Sequence, residues 1–176
     1  MDSLTYFKSW QNFYKQELKE KLWKDKYIID KLEPLKKAIE KSRQAFIENE
    51  SFAFCAKCAQ SGEKCCQTGL EWKLRPSEFL INLMLADYLQ TEIKFNLERP
   101  EDCLFLGEKG CNLILAPIFC RNFFCDKLSN FLGHERLTKI QQAMEDEAIL
   151  SFELAEYINK KYVLPYAEKI RKEKSR

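Results

Sequence analysis

FCAKCAQSGEKCC, residues 54–66, decides how the rest of the chain is read. It opens with Cys55-Ala56-Lys57-Cys58, a Cys-x-x-Cys pair that can set two thiolates on one ion from a single tight turn. Six residues later comes the doublet Cys65-Cys66, and Gly62 between them lets the chain fold back. Neighbouring side chains point apart, so both members of the doublet on one small ion would be awkward. They serve two different sites, or one is a ligand while the other packs or reacts. Working outward, a second group of four follows at Cys103, Cys111, Cys120 and Cys125. Gly107 and Gly110 suggest a turn that brings Cys103 and Cys111 together. Cys120 and Cys125 lie five residues apart, about 140° around an ideal helix, which predicts an irregular segment between them.

The rest of the chain has no cysteine and reads as helix. Leu4, Phe7, Trp10, Tyr14, Leu18 and Leu22 recur at three- and four-residue steps, with Asp2 or Ser3 as the cap. Leu32, Leu35, Ile39 and Phe46 extend the stripe beyond Pro34, which predicts a break or a new first turn. After residue 125, Leu137, Ile140, Met144, Ala148, Ser151, Ala155, Ile158 and Tyr162 form a heptad-like seam. Gly133 is the expected stop before it, and Pro165 the residue that kinks or ends it. The seam suits the core face of a helical bundle better than a coiled-coil dimer face. Between the cysteine groups, Arg75-Pro76-Ser77-Glu78 is a helix entry. It leads into Phe79, Leu80, Leu83, Met84 and Tyr88, all expected to be largely buried. Residues 50–74 and 91–133 read otherwise as loop, and loops of that length in a compact domain need something to hold them. The expected fold is mainly α: a single domain over 1–176, with helical flanks 1–54 and 126–176 around a cysteine-rich metal-binding insert at 55–125.

Composition bounds the function classes. Across 176 residues, 45% hydrophobic and 32% charged is ordinary for a water-soluble domain, and a net charge of +2 gives no global reason to expect nucleic acid. Residues 8–43 carry eleven Lys/Arg against six Asp/Glu, and 160–176 carry seven against two. On helices this reads as a solvated lysine-rich face, with a partner patch as the alternative. The N-terminus shows no basic segment followed by an apolar run. The longest apolar stretches, 79–86 and 113–119, fall well short of the roughly 20 residues that span a bilayer. These features predict a cytoplasmic protein without a membrane partner. In a reducing compartment eight cysteines are metal-binding or redox groups rather than four disulfides. A thioredoxin-type dithiol fits Cys55 and Cys58 alone, but no βαβ pattern surrounds them.

The motifs resemble those of the CxxCxxCC cysteine-cluster (YkgJ-like) family, described as zinc- or iron-chelating proteins. Phe54-Cys55-Ala56-Lys57-Cys58 with Cys65-Cys66 matches its first motif. Cys103-Leu104-Phe105-Leu106, Gly110-Cys111, Pro117, Cys120-Arg121 and Phe124-Cys125 match its second. The likeness covers about residues 52–126. It departs from the family in the six-residue spacer before the doublet and at Ala116, where an Arg is frequent. It implies metal binding rather than a reaction. A similar cluster in a flagellin lysine N-methylase implies protein modification as an alternative.

The predicted ligands are therefore Cys55, Cys58, Cys65, Cys66, Cys103, Cys111, Cys120 and Cys125. They would hold an iron–sulfur cluster or zinc in one or two centres. The aromatic neighbours Phe52, Phe54, Phe105, Phe119, Phe123 and Phe124 tilt the choice toward a shielded iron–sulfur cluster. Arg121, between two of these cysteines, is the candidate to neutralise a bound centre, or else a salt-bridge partner of Asp126 or Glu101. Asp102 and Asp126 flank cysteines as supporting groups. His134, the single histidine, reads as a solvent-facing helix start. A phosphate loop, a Ser/His/Asp set, a His-Glu-x-x-His motif and a SAM-type glycine motif are all missing. The expected function is cysteine-ligated metal binding. The alternative is a redox or protein-modifying enzyme component built on a Cys-ligated iron–sulfur cluster, with a protein as partner.

Overall fold

The structure is a computed structural model, and it describes residues 2–63 and 65–168. It is mainly α. Helix α1, Ser3–Phe13, starts where the Asp2 carboxylate accepts the Thr5 amide at 2.8 Å. It runs through a π-helical turn at Tyr14–Leu18 into α2, Lys19–Lys24, keeping Phe7, Tyr14, Leu18 and Leu22 buried. Asp25 then ends α2 and caps α3, Lys26–Glu48, accepting the Tyr27 amide at 3.1 Å.

Pro34 lies inside α3 and neither breaks nor starts it. Pro34 and Asp30, the residue whose carbonyl loses its partner, both face solvent, so water can take that carbonyl. Helix α4, Ser51–Gln60, occupies part of the stretch expected to be loop. Helix α5, Pro76–Tyr88, begins as predicted, with the Glu78 carboxylate accepting the Arg75 amide at 2.9 Å. It is buried on nearly every side from Ser77 to Ala86, but Tyr88 is exposed and donates its hydroxyl to Glu33 at 2.7 Å.

After α5 the chain is irregular until a short antiparallel hairpin, β1 at Leu106–Gly107 and β2 at Gly110–Cys111, followed by α6, Ile118–Arg121. Helix α7, Asp126–Ile158, packs along α3 with Ile140, Met144, Ser151, Ala155 and Ile158 inward, so the heptad-like seam is a core face. Gly133 bends this helix rather than preceding it. Its φ of 65° and ψ of 175° suit glycine almost alone. A second π-helical turn at Asn159–Val163 precedes Pro165, and the helix continues through that proline to residue 168. The wider turn explains why. Pro165 cannot donate to the Lys161 carbonyl, and the Leu164 amide bonds one residue further back, to Asn159.

Two apolar clusters result. The larger gathers α1, α2, α3, α5, the hairpin region and the end of α7. The smaller consists of Phe46, Leu128, Leu132, Ile140 and Met144, between α3 and the first half of α7. Among residues 8–43, Lys24, Lys31, Lys36, Lys37 and Lys41 are engaged in ion pairs at the surface. Five of the seven Lys/Arg of the C-terminal basic stretch fall at 169–176, outside the described residues. No described helix is long and apolar enough to cross a membrane.

Candidate metal centre

All eight cysteines are free thiols, and four pieces of chain bring them within electrostatic reach of one another. Cys55 and Cys58 sit three residues apart on α4, hence on one helical face rather than in a tight turn. Beyond α4 the chain folds back at Gly62, whose φ is 91°, and the Cys58 thiol points at the Glu63 carbonyl at 3.6 Å. Cys125 is the N-cap residue of α7. The start of α7 is held beside α4 by the stacked rings of Phe54 and Phe131, 4.5 Å apart, and by the ion pair of Lys127 with Glu63.

Cys65 and Cys66 follow, and the chain then runs antiparallel to residues 101–103. Gln67 pairs with Asp102, the Thr68 amide donates to the Glu101 carbonyl at 3.0 Å, and the Cys103 amide donates to the Cys66 carbonyl at 3.1 Å. The hairpin sets Cys111 opposite Leu106, whose amide donates to the Cys103 carbonyl at 2.9 Å. Cys120 lies in α6 and Cys125 beyond a break in the helix, the irregular segment that their spacing predicts.

Burial raises several of these thiols. It pushes Cys55 up to about 11, with the charges of Cys125, Cys65, Cys58 and Cys66 adding to it in that order. Cys65 is raised by burial and then by Cys125 and Cys58. Burial takes Cys103 to about 12; a hydrogen bond from the Phe105 backbone opposes the shift, while Glu71, Cys111 and Cys66 reinforce it. Cys111, crowded by protein although it reaches the surface, is raised by burial and then by Cys66, with Arg43 opposing. Cys120 rises to about 11 through burial and then Cys111 and Cys66, with Arg121 opposing. Cys66 is raised by burial, its neighbour Cys65 and Asp102.

Among the described residues no three Cys, His, Asp or Glu side chains stand close enough to enclose an ion. The donor chemistry nonetheless fits one. Four-sulfur sets are what structural zinc and cubane iron–sulfur clusters take, and rotation between χ1 wells re-aims each Sγ.

The aromatic cover expected around the site is incomplete. Phe105 is buried in the main core, and Phe54 and Phe124 are half-buried. Phe52, Phe119 and Phe123 are about half exposed, at 49%, 51% and 52%. Cys55, Cys65, Cys66, Cys111 and Cys120 reach solvent with them. Arg121 pairs neither with Asp126 nor with Glu101. Its Nη1 meets the Glu147 carboxylate at 2.5 Å and its Nε donates to the Ala116 carbonyl at 2.7 Å. Asp102 is buried and faces Arg99 at 3.3 Å, whereas Asp126 and His134 are exposed.

Three flanking groups escaped the sequence reading. Glu147 was nonetheless visible, since it falls three residues after Met144 and four before Ser151, on the buried stripe of α7. Arg43, which donates to the Leu113 and Ile114 carbonyls at 2.9 and 3.0 Å, and Glu71, which accepts the Gly69 amide at 2.8 Å, carried no such signal. No protein-family model, curated protein or solved structure matches the chain.

Proposed function

We propose that this protein binds metal through cysteine thiolates, holding zinc or an iron–sulfur cluster at the thiol-rich end of the bundle. One observation carries the reading: eight unpaired thiols on four separate pieces of chain lie within electrostatic reach of one another. A packed core does not account for them, because most reach solvent. Among the described residues, 65–69 and 89–117 carry four of the eight thiols with little regular structure of their own, and coordination would fix them. Arg43, Arg121 and Lys127 border the thiols electrostatically and offset the negative charge that four thiolates leave on a divalent ion. The cysteine-motif resemblance points the same way. Free thiols in this number fit a reducing compartment.

Half-exposed phenylalanines weaken the case for a sequestered cluster without removing it, since the same sulfur donors serve either metal. Anaerobic purification followed by metal and acid-labile sulfide analysis, with the visible spectrum recorded, tests the proposal. A colourless protein with stoichiometric zinc, or a brown one with iron and sulfide, supports it and selects the metal. Metal-free protein whose thiols all react freely would overturn it.

A further inference from the structure

We propose that the thiols form two separate four-sulfur centres that cut across the order of the sequence: Cys55, Cys58, Cys65 and Cys125 in one, and Cys66, Cys103, Cys111 and Cys120 in the other. This rests on the metal-binding reading above and adds the division of ligands. The chain order would instead group 55, 58, 65 and 66 against 103, 111, 120 and 125.

The doublet is where the two groupings part. With Gln67 paired to Asp102 in an antiparallel register, Cys66 falls directly opposite Cys103. The amide of Cys103 bonds the carbonyl of Cys66 at 3.1 Å. Residues opposite each other in an antiparallel pair project to one face, with Cβ atoms roughly 5 Å apart. Cys66 is thereby tied to the strand-like run of the second sequence group. Cys65, one residue earlier, lies at a bend outside this pairing, where the Gln67 amide turns back to its carbonyl at 3.1 Å.

Cys125 crosses in the opposite sense. It sits on the smaller apolar cluster together with Phe54, the residue before Cys55, whereas Cys103 packs on the larger cluster. The Phe54–Phe131 stack and the Lys127–Glu63 ion pair hold the start of α7 against α4 and the loop that follows it. Cys120 has Cys111 and Cys66 as its charged thiol neighbours. Its segment is anchored by Arg121 to Glu147 and to the Ala116 carbonyl.

The electrostatic neighbours divide along the same line. Cys55 and Cys65 both feel Cys125 and Cys58, while Cys103, Cys111 and Cys120 all feel Cys66. Two links cross the divide: the one between the adjacent residues 65 and 66, and the last-ranked influence on Cys55, from Cys66. Each set has its own cation nearby, Lys127 for the first, and Arg43 and Arg121 for the second.

Alkylation footprinting by mass spectrometry on metal-loaded Cys65→Ser and Cys66→Ser proteins, with metal content measured in parallel, tests the division. Each variant should lose half of the wild-type metal. Cys66→Ser should make Cys103, Cys111 and Cys120 reactive and leave Cys55, Cys58, Cys65 and Cys125 shielded. Cys65→Ser should give the reverse pattern. The double variant Cys58→Ser/Cys125→Ser should lose no more metal than Cys58→Ser alone, and Cys58→Ser/Cys66→Ser should lose all of it. Should one of these proteins fail to fold, the remaining variants still discriminate the groupings. If Cys66→Ser instead unmasks Cys55, Cys58 and Cys65, or if the wild type holds a single centre, the division is wrong while metal binding stands. A wild type without metal would take both down.

Discussion

Glu147→Gln offers a sharp test of how the site end of the bundle is held. The Glu147 side chain is 2% exposed and that of its partner Arg121 10%. The substitution keeps the volume but strands a guanidinium charge in a place that water barely reaches. Breaking a buried pair by removing one partner costs about 3–5 kcal/mol. For a chain of this length each kcal/mol lowers the melting temperature by about 2–4 °C, so Glu147→Gln should melt roughly 10 °C early. Arg121→Met should cost a similar amount, since it strands the carboxylate and also removes the donor to the Ala116 carbonyl. The double variant Arg121→Met/Glu147→Met removes both charges. It should come back to within about 1–2 kcal/mol of wild type, because the pair itself contributes little beyond the penalty of splitting it. Urea unfolding of wild type, Arg121→Met, Glu147→Met and the double variant closes the cycle, with a coupling energy of several kcal/mol expected. In the metal-free state, alkylation of Cys120 should be fastest in Arg121→Met, because α6 loses its tether to α7. A cost below about 1 kcal/mol for Glu147→Gln, or additive single effects, would refute the view that this pair anchors α6.

Asn82→Leu should cost about 2–4 kcal/mol in urea unfolding. The Asn82 amide accepts from the Leu115 amide and donates to the Leu115 carbonyl, both at 2.9 Å, and an apolar side chain would leave both buried groups unpaired. Gly133→Ala should lose about 1–3 kcal/mol even though the added methyl meets open space, since the loss comes from φ and not from crowding. Asp25 contributes to the acid limb. Burial works to raise its carboxyl, but hydrogen bonds from Lys161, Tyr162 and Tyr157 outweigh it and hold the group below its ordinary 3.8. The stability this brings is complete above that pH and is lost as pH falls through the lowered value. Asp25→Asn should therefore be about 2 kcal/mol less stable at pH 7 and show a flatter acid-unfolding profile, read by circular dichroism against pH. Stripping metal with a chelator should lower the melting temperature and speed proteolysis at residues 61–70 and 89–117, leaving the helical signal largely intact.

The helical frame was legible because burial imposes a period on sequence. Phe7, Tyr14, Leu18 and Leu22 mark one stripe, and Ile140 to Ile158 another, and both turn inward as read. Punctuation was less faithful, and each miss has a local cause. Proline signals a helix end only when the carbonyl it orphans has no other recourse. Pro34 orphans one that water can reach, and Pro165 follows a widened turn that re-aims the bonding. Gly133 signals a change of direction, but the helix resumes because its seam continues to find α3 on the far side of the bend. Helix α4 was missed because its cysteines, alanines and phenylalanines give only a weak periodic signal, and a Cys-x-x-Cys pair reads equally well as turn or helix.

The cysteines show a different limit. Their number and residue type can be read along the chain, but their grouping depends on register, which is a property of two segments at once. Nothing near Cys66 in sequence says that it will lie opposite Cys103. That follows from the pairing of Gln67 with Asp102, thirty-five residues apart. Likewise Cys125 is near Cys120 in sequence, but the turn between α6 and α7 sends it to the side of the bundle where α4 lies. At the doublet, local chemistry points the same way as the proposed division. Two adjacent cysteines, one at the bend and one in the paired register, would serve the proposed division, each entering a different set.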